Sequence, residues 1–250
     1  MSPLPRATFD ELGQKNWNYA VRQFDTPKRS TVFFCDFLDE KQRMKPGHHL
    51  VDFGAGAGAV LHYMAGRYPE IRFTGVELNP DLVEYGNRRF REDHLDDRCR
   101  LIQGDCYRLD KNAVGNPDGI ISIHTIMFLN DIDAFINAVT GLQPKWFAAN
   151  SLFYDGMVDA FVEIHDYTDT LNSGGHSIRP YNFFSIPRIR ERFEKKGYPL
   201  FDSVPFEIDM DLPKPEDGGM GTYTETLENG KRLQISGPLI VSWYFLYASR

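Results

Sequence analysis

Val51-Asp52-Phe53-Gly54-Ala55-Gly56-Ala57-Gly58 is the stretch from which the fold is read. The apolar run leading into it, from His49 to Phe53, predicts a strand, and residues 59–68 behind it have helical spacing. Glycines at 54, 56 and 58 permit a tight turn and let a ligand approach the backbone with no Cβ in the way. Such a turn between a strand and a helix points to a nucleotide bound at the C-terminal edge of a sheet. The alternation continues downstream. Residues 71–76 read as a second strand ending in Glu77, and residues 80–91 as a helix with Pro80 suited to its first turn. Strands over 99–103 and 119–123 end at Gly104-Asp105 and at His124. A helix over 131–140, capped by Asn130 or Asp131, leads to a fifth strand over 145–149 that ends at Asn150. Five strands alternating with helices predict an α/β fold with a parallel, doubly wound sheet covered on both faces.

Outside this core the pattern changes. Phe33, Phe34, Phe37 and Leu38 form the stripe of an amphipathic helix, with Pro27 near its start and Pro46-Gly47 after its end. Residues 155–182 are polar and rich in His and Tyr, residues 183–196 read as a helix stopped by Gly197, and residues 201–212 alternate like a strand. The Asn229-Gly230 pair between residues 223–227 and 232–235 is a hairpin signal, and residues 239–248 read as a closing strand. No linker is visible. The expectation is one domain, 1–250: a helical N-terminal cap over 1–46, a ligand-binding core over 47–150, an insertion and helix over 151–200, and closing strands with a hairpin over 201–250.

Composition narrows the function. The chain has 250 residues, 42% of them hydrophobic, enough for a core and too many for a disordered, collagenous or coiled-coil chain. Its 28 basic and 35 acidic residues give a net charge of −7, the wrong sign for a nucleic-acid binder. No apolar stretch reaches the length of a membrane span, and the first residues lack the apolar region of a signal peptide. Cys35, Cys99 and Cys106 are scattered, forming neither a disulfide framework nor a metal spacing. A cytoplasmic protein, monomer or homodimer, with no membrane or nucleic-acid partner is expected.

Two acids follow the glycine loop. Glu77 ends the next strand, where a carboxylate accepts hydrogen bonds from both hydroxyls of a ribose. Asp105 ends the third, where a carboxylate can read an exocyclic amine. Gly54, Gly56 and Ala59 also satisfy the loose dinucleotide fingerprint. Against NAD stand Asp52, an unwelcome neighbour for a pyrophosphate, the long cap ahead of the loop, and a closing hairpin in place of a second mononucleotide half.

Together, Asp52-x-Gly54-x-Gly56-x-Gly58, Glu77 and Asp105 resemble the class I S-adenosylmethionine-dependent methyltransferases. The resemblance implies a Rossmann-like, mostly parallel seven-stranded sheet with an antiparallel C-terminal strand. It implies S-adenosyl-L-methionine as cofactor, S-adenosyl-L-homocysteine as its product, and no metal. Asp52, Gly54, Ala55, Gly56 and Gly58 would lie under the cofactor's amino-acid part, with Asp52 near its amino group. Glu77, with Leu78 beside it, would hold the ribose. Asp105 and Cys106 would border the adenine, and His124 the methionine part and the acceptor.

Methyl transfer from a sulfonium needs alignment and exclusion of water more than acid–base chemistry. A hydroxyl acceptor additionally needs a base, for which His124 is the candidate. His48 and His49 sit at the wrong end of the sheet, and no histidine pair has metal spacing. Trp17, Tyr19 and Phe24 can close over the cofactor as a lid. Asn150, Tyr154, His165, His176, Arg179 and Tyr181 are expected around the acceptor, whereas Lys28 and Arg29 read as helix-surface charges. The expected activity is O- or N-methylation of a small molecule. A protein acceptor, a cyclisation or elimination with the same cofactor, and a non-catalytic cofactor-binding subunit stay open beside it.

Overall fold

Each central strand sends alternate side chains to two different cores, and that period of two builds the three layers. The structure, a computed structural model, describes residues 14–109, 111–168, 177–216 and 218–250. β1 (His49–Phe53), β2 (Arg72–Glu77), β3 (Cys99–Gln103), β4 (Gly119–Ile123) and β5 (Trp146–Tyr154) run parallel. β12 (Trp243–Ser249) lies antiparallel between β5 and β9 (Leu200–Phe206), giving the order β3-β2-β1-β4-β5-β12-β9. This is the expected mostly parallel sheet with one reversed strand. A two-residue eighth strand, β8 (Phe184–Ser185), pairs with the far end of β5.

On one face Leu50, Phe73, Ile121 and Ala148 pack with Phe34, Leu61 and Phe90 of α2 (Arg29–Glu40), α3 (Ala59–Arg67) and α4 (Pro80–Glu92). On the other, Val51, Val76, Ile120 and Phe147 pack with Val114 of the short α5 (Lys111–Val114), Phe135 of α6 (Ile132–Gly141) and Phe193 of α7 (Ile186–Lys195). The strand order reverses between β1 and β4, so a crevice opens beyond their C-terminal ends.

The structure corrects several boundaries. The cap holds two helices, α1 (Gln14–Arg22) and α2, separated by the turn that contains Pro27. β5 runs on to Tyr154 because Leu152 and Phe153 are buried and find partners on β12 and β8. α7 begins only at Ile186, where the Ser185 hydroxyl caps it by accepting from the Arg188 N–H. β9 stops at Phe206 and β12 starts at Trp243. The Asn-Gly hairpin is present as β10 (Thr222–Thr226) and β11 (Arg232–Ser236), but it forms its own two-stranded sheet inserted between β9 and β12. A second hairpin, β6 (Glu163–Asp166) with β7 (Ser177–Pro180), arises in the polar insertion where none was expected.

Candidate active site

The glycine turn is pinned from behind by backbone. The Gly54 and Ala55 N–H groups both donate to the Val76 carbonyl, at 2.9 and 3.1 Å. Gly54 has φ +79°, and a Cβ there would strike the Thr125 side chain, whose hydroxyl donates to the Gly54 carbonyl at 3.0 Å. Gly56 has φ +55° and nothing within 4 Å of where its Cβ would stand, so the turn presents bare backbone to the crevice. Gly58 is a correction. It caps α3 in a left-handed conformation, its Cβ would lie 2.8 Å from the Phe90 ring, and it does not line the crevice. Packing accounts for it, as it does for Gly86, where a Cβ would run into the Ala57 carbonyl.

Glu77 ties this turn to β2. Its Oε2 accepts from the Gly56 N–H at 2.8 Å and its Oε1 from the Asn79 N–H at 3.0 Å. Burial pushes its pKa up and these backbone donors oppose the rise. An ionised carboxylate keeps further acceptor capacity on each oxygen. Asp52 is only 1% exposed, and its Oδ1 has no hydrogen-bond partner among the described residues. Burial first, and the Glu77 charge second, raise its pKa to about 8. Asp105 accepts from the Tyr107 N–H at 2.9 Å, and burial lifts the neighbouring Cys106 thiol to about 12, far from a reactive thiolate.

These groups share one cleft of about 2050 Å³, well beyond the roughly 300–1,000 Å³ of a single ligand site. Asp52, Gly54, Ala55, Gly56, Glu77, Leu78, Asp105, Cys106 and His124 all line it, as do Tyr19, Arg179 and Tyr181. Three expected acceptor residues do not. Asn150 is buried within β5 and donates to the Tyr244 carbonyl at 3.1 Å. Tyr154 stands exposed beyond the cleft beside Phe183. His165 sits exposed on β6, 2.8 Å from Glu163. His176 lies outside the described residues. Of the three lid aromatics only Tyr19 reaches the cleft, because Trp17 and Phe24 pack edge-on against Tyr85.

His124 closes β4 in a left-handed conformation, φ +58°, with both ring nitrogens engaged. Lys28 Nζ lies 3.0 Å from Nδ1 and Ser30 Oγ 2.9 Å from Nε2, while Trp243 packs edge-on at 5.0 Å. An ammonium only donates, so Nδ1 accepts from Lys28 and Nε2–H donates to Ser30. Burial, then the Lys28 charge, hold the imidazole pKa well below its ordinary value. Lys28, expected as a surface charge, thus proves to be a cleft residue, half-buried with its ammonium 4.7 Å from the Tyr19 ring centre. Arg29 also lines the cleft, but it is exposed and paired with Asp209. The sequence signal for Lys28 was its place at the N-cap of α2, where the helix dipole disfavours a cation. Trp243 and Ser30, also missed, had no such signal.

Residues 50–144 match the sequence profile of the methyltransferase domain. Over this segment the chain is similar to S-adenosylmethionine-dependent methyltransferases. It is 27% identical over 117 residues to a malonyl-[acyl-carrier protein] O-methyltransferase of Acetivibrio thermocellus, an overlap of 46% of this chain and 38% of that one. It is 33% identical over 95 residues to a carboxy-S-adenosyl-L-methionine synthase of Chromohalobacter salexigens, covering 37% of this chain and 34% of that one. The chain thus spans less than two fifths of these relatives' length. Its fold matches an S-adenosylmethionine-dependent methyltransferase from Clostridium acetobutylicum at a TM-score of 0.60, with 12% identity over 95% of this chain and 99% of that one. Among the described residues no cluster of His, Cys, Asp and Glu is arranged to hold a metal ion, and no helix is long and apolar enough to cross a membrane.

Proposed function

We propose that the protein transfers the methyl group of S-adenosylmethionine to a small molecule, on oxygen or nitrogen. The observation that carries this reading is the Asp52 Oδ1 atom, buried without a donor among the described residues in the cleft that the bare backbone of Gly56 also lines. A buried carboxylate oxygen left unpaired is costly, and an amino-acid ammonium seated on the turn supplies the missing donor. Glu77 accepts from the ribose with the capacity its two backbone bonds leave free, and Asp105 and Cys106 flank the base. When bound, the cofactor supplies an electrophilic methyl on a sulfonium. The chain's own residues align the acceptor and exclude water, with Tyr19 covering the cleft mouth. His124 positions rather than removes a proton, because its basic nitrogen already accepts from Lys28.

The test is calorimetry with S-adenosylmethionine, S-adenosylhomocysteine and NADH, followed by incubation of labelled cofactor with a metabolite extract and mass spectrometry. Binding of the two sulfur compounds, no binding of NADH, and a product heavier by one CH₂ support the reading. Preference for NADH overturns it. A second reading, modification of the cofactor itself, is favoured by the likeness to a carboxy-S-adenosylmethionine synthase. It predicts a heavier cofactor and no methylated metabolite.

A further inference from the structure

The far end of the cleft holds a positive charge that no acid among the described residues neutralises. Among the described residues no carboxylate lies within ion-pair distance of Lys28, whose one hydrogen-bond partner is the neutral imidazole of His124. The cleft's acids are elsewhere. Asp52, Glu77 and Asp105 gather at the ends of β1–β3, Asp131 caps α6 by accepting from the Ala134 N–H at 2.8 Å, and Glu216 is exposed at the rim. A half-buried ammonium with donors to spare favours an anion, and its bond to His124 fixes its position beforehand. The walls beside it, Phe206, Trp243 and Tyr181, are buried and aromatic.

The bases point the same way. His124 is the only histidine among the described residues that lines the cleft, and its lone pair is occupied. An alcohol or a protonated amine would need a base to remove its proton, and the amine would also meet the repulsion of Lys28. A carboxylate arrives already deprotonated. We propose that the acceptor is a small carboxylic acid with an apolar body, seated with its carboxylate against Lys28 and its body against Phe206, Trp243 and Tyr181, and that the product is its methyl ester. A carboxylate oxygen supplies the electron pair of the new C–O bond, the S–CH₃ bond breaks with its pair going to sulfur, and no proton moves.

This inference rests on the methyl-transfer reading of the same cleft, so affinity for S-adenosylhomocysteine is measured alongside. The probes are 3-phenylpropionate and its amide, titrated into the full chain saturated with S-adenosylhomocysteine. The wild type should bind the acid about tenfold or more tightly than the amide, the worth of one charged hydrogen bond. Lys28→Gln should erase that preference with S-adenosylhomocysteine affinity unchanged, and Lys28→Arg should restore part of it. With labelled cofactor and 3-phenylpropionate, the transferred label should be released as volatile methanol by mild alkali, as an ester releases it. Equal affinity for acid and amide, no binding of the acid, a preference that survives in Lys28→Gln, or an alkali-stable label overturns the carboxylate proposal while leaving methyl transfer standing. Absence of S-adenosylhomocysteine binding to the wild type overturns both.

Discussion

At the β1–β3 end of the cleft the acids stand at or next to strand ends, and the turn between them is held by its main-chain N–H groups, which donate to the Val76 carbonyl and the Glu77 carboxylate. At the far end Lys28 comes from the cap, Tyr181 from behind the β6–β7 hairpin, and Trp243 from the start of the closing strand. Backbone builds the first end and side chains from separate segments build the second. The first can hold one ligand shape rigidly, and the second can change its ligand by substitution without disturbing the sheet.

Substitutions can break that contrast. Glu77→Ala removes a ribose acceptor and the tether on Gly56 together, and should weaken S-adenosylhomocysteine binding by about 3 kcal/mol, roughly a hundredfold, in calorimetry. Unchanged affinity would show that the turn needs no carboxylate behind it. Gly86→Ala forces a Cβ onto the Ala57 carbonyl and should lower stability by about 3 kcal/mol in denaturant titration, the upper end for overpacking. A neutral result would show that α4 can back away from the turn.

Asp52→Asn should act in opposite directions on stability and binding. The carboxyl is raised to about 8 in the folded chain, so folding favours its protonated form. Its ionisation therefore costs stability increasingly as pH rises from the ordinary carboxylate range through about 8. The amide should stabilise the ligand-free protein by about 2 kcal/mol above pH 8 and by little near pH 4. It should also weaken S-adenosylhomocysteine binding and abolish the proton release expected of the wild type on binding near pH 7, read from calorimetry in buffers of different ionisation enthalpy. A stability gain independent of pH would remove the titration of Asp52 as its cause. His165→Ala, on the exposed hairpin, should change stability by less than about 0.5 kcal/mol and leave turnover intact. Lost turnover would bring β6–β7 into the acceptor end.

The same contrast explains what the sequence disclosed. Strand, turn and acid follow one another within a few residues at Asp52–Gly58 and at Glu77, so local pattern sufficed to read them. Gly58 kept its place in the pattern but changed its reason, because the Phe90 ring that forbids a side chain there is distant in sequence. The acceptor end depends on which loops meet over the sheet. Asn150 follows the strand-end rule and still does not line the cleft, because β5 runs on to Tyr154 and leaves it buried within the sheet. Lys28 looked like an ordinary helix charge until His124 was found against it.

The position of β12 between β5 and β9 also bears on biosynthesis. Chains emerge from the ribosome N-terminus first, so the long apolar edge of β5 and the whole of β9 must wait for a strand made after both. During that interval the nascent chain offers an unpaired strand edge of the kind that recruits chaperones or, failing them, other chains.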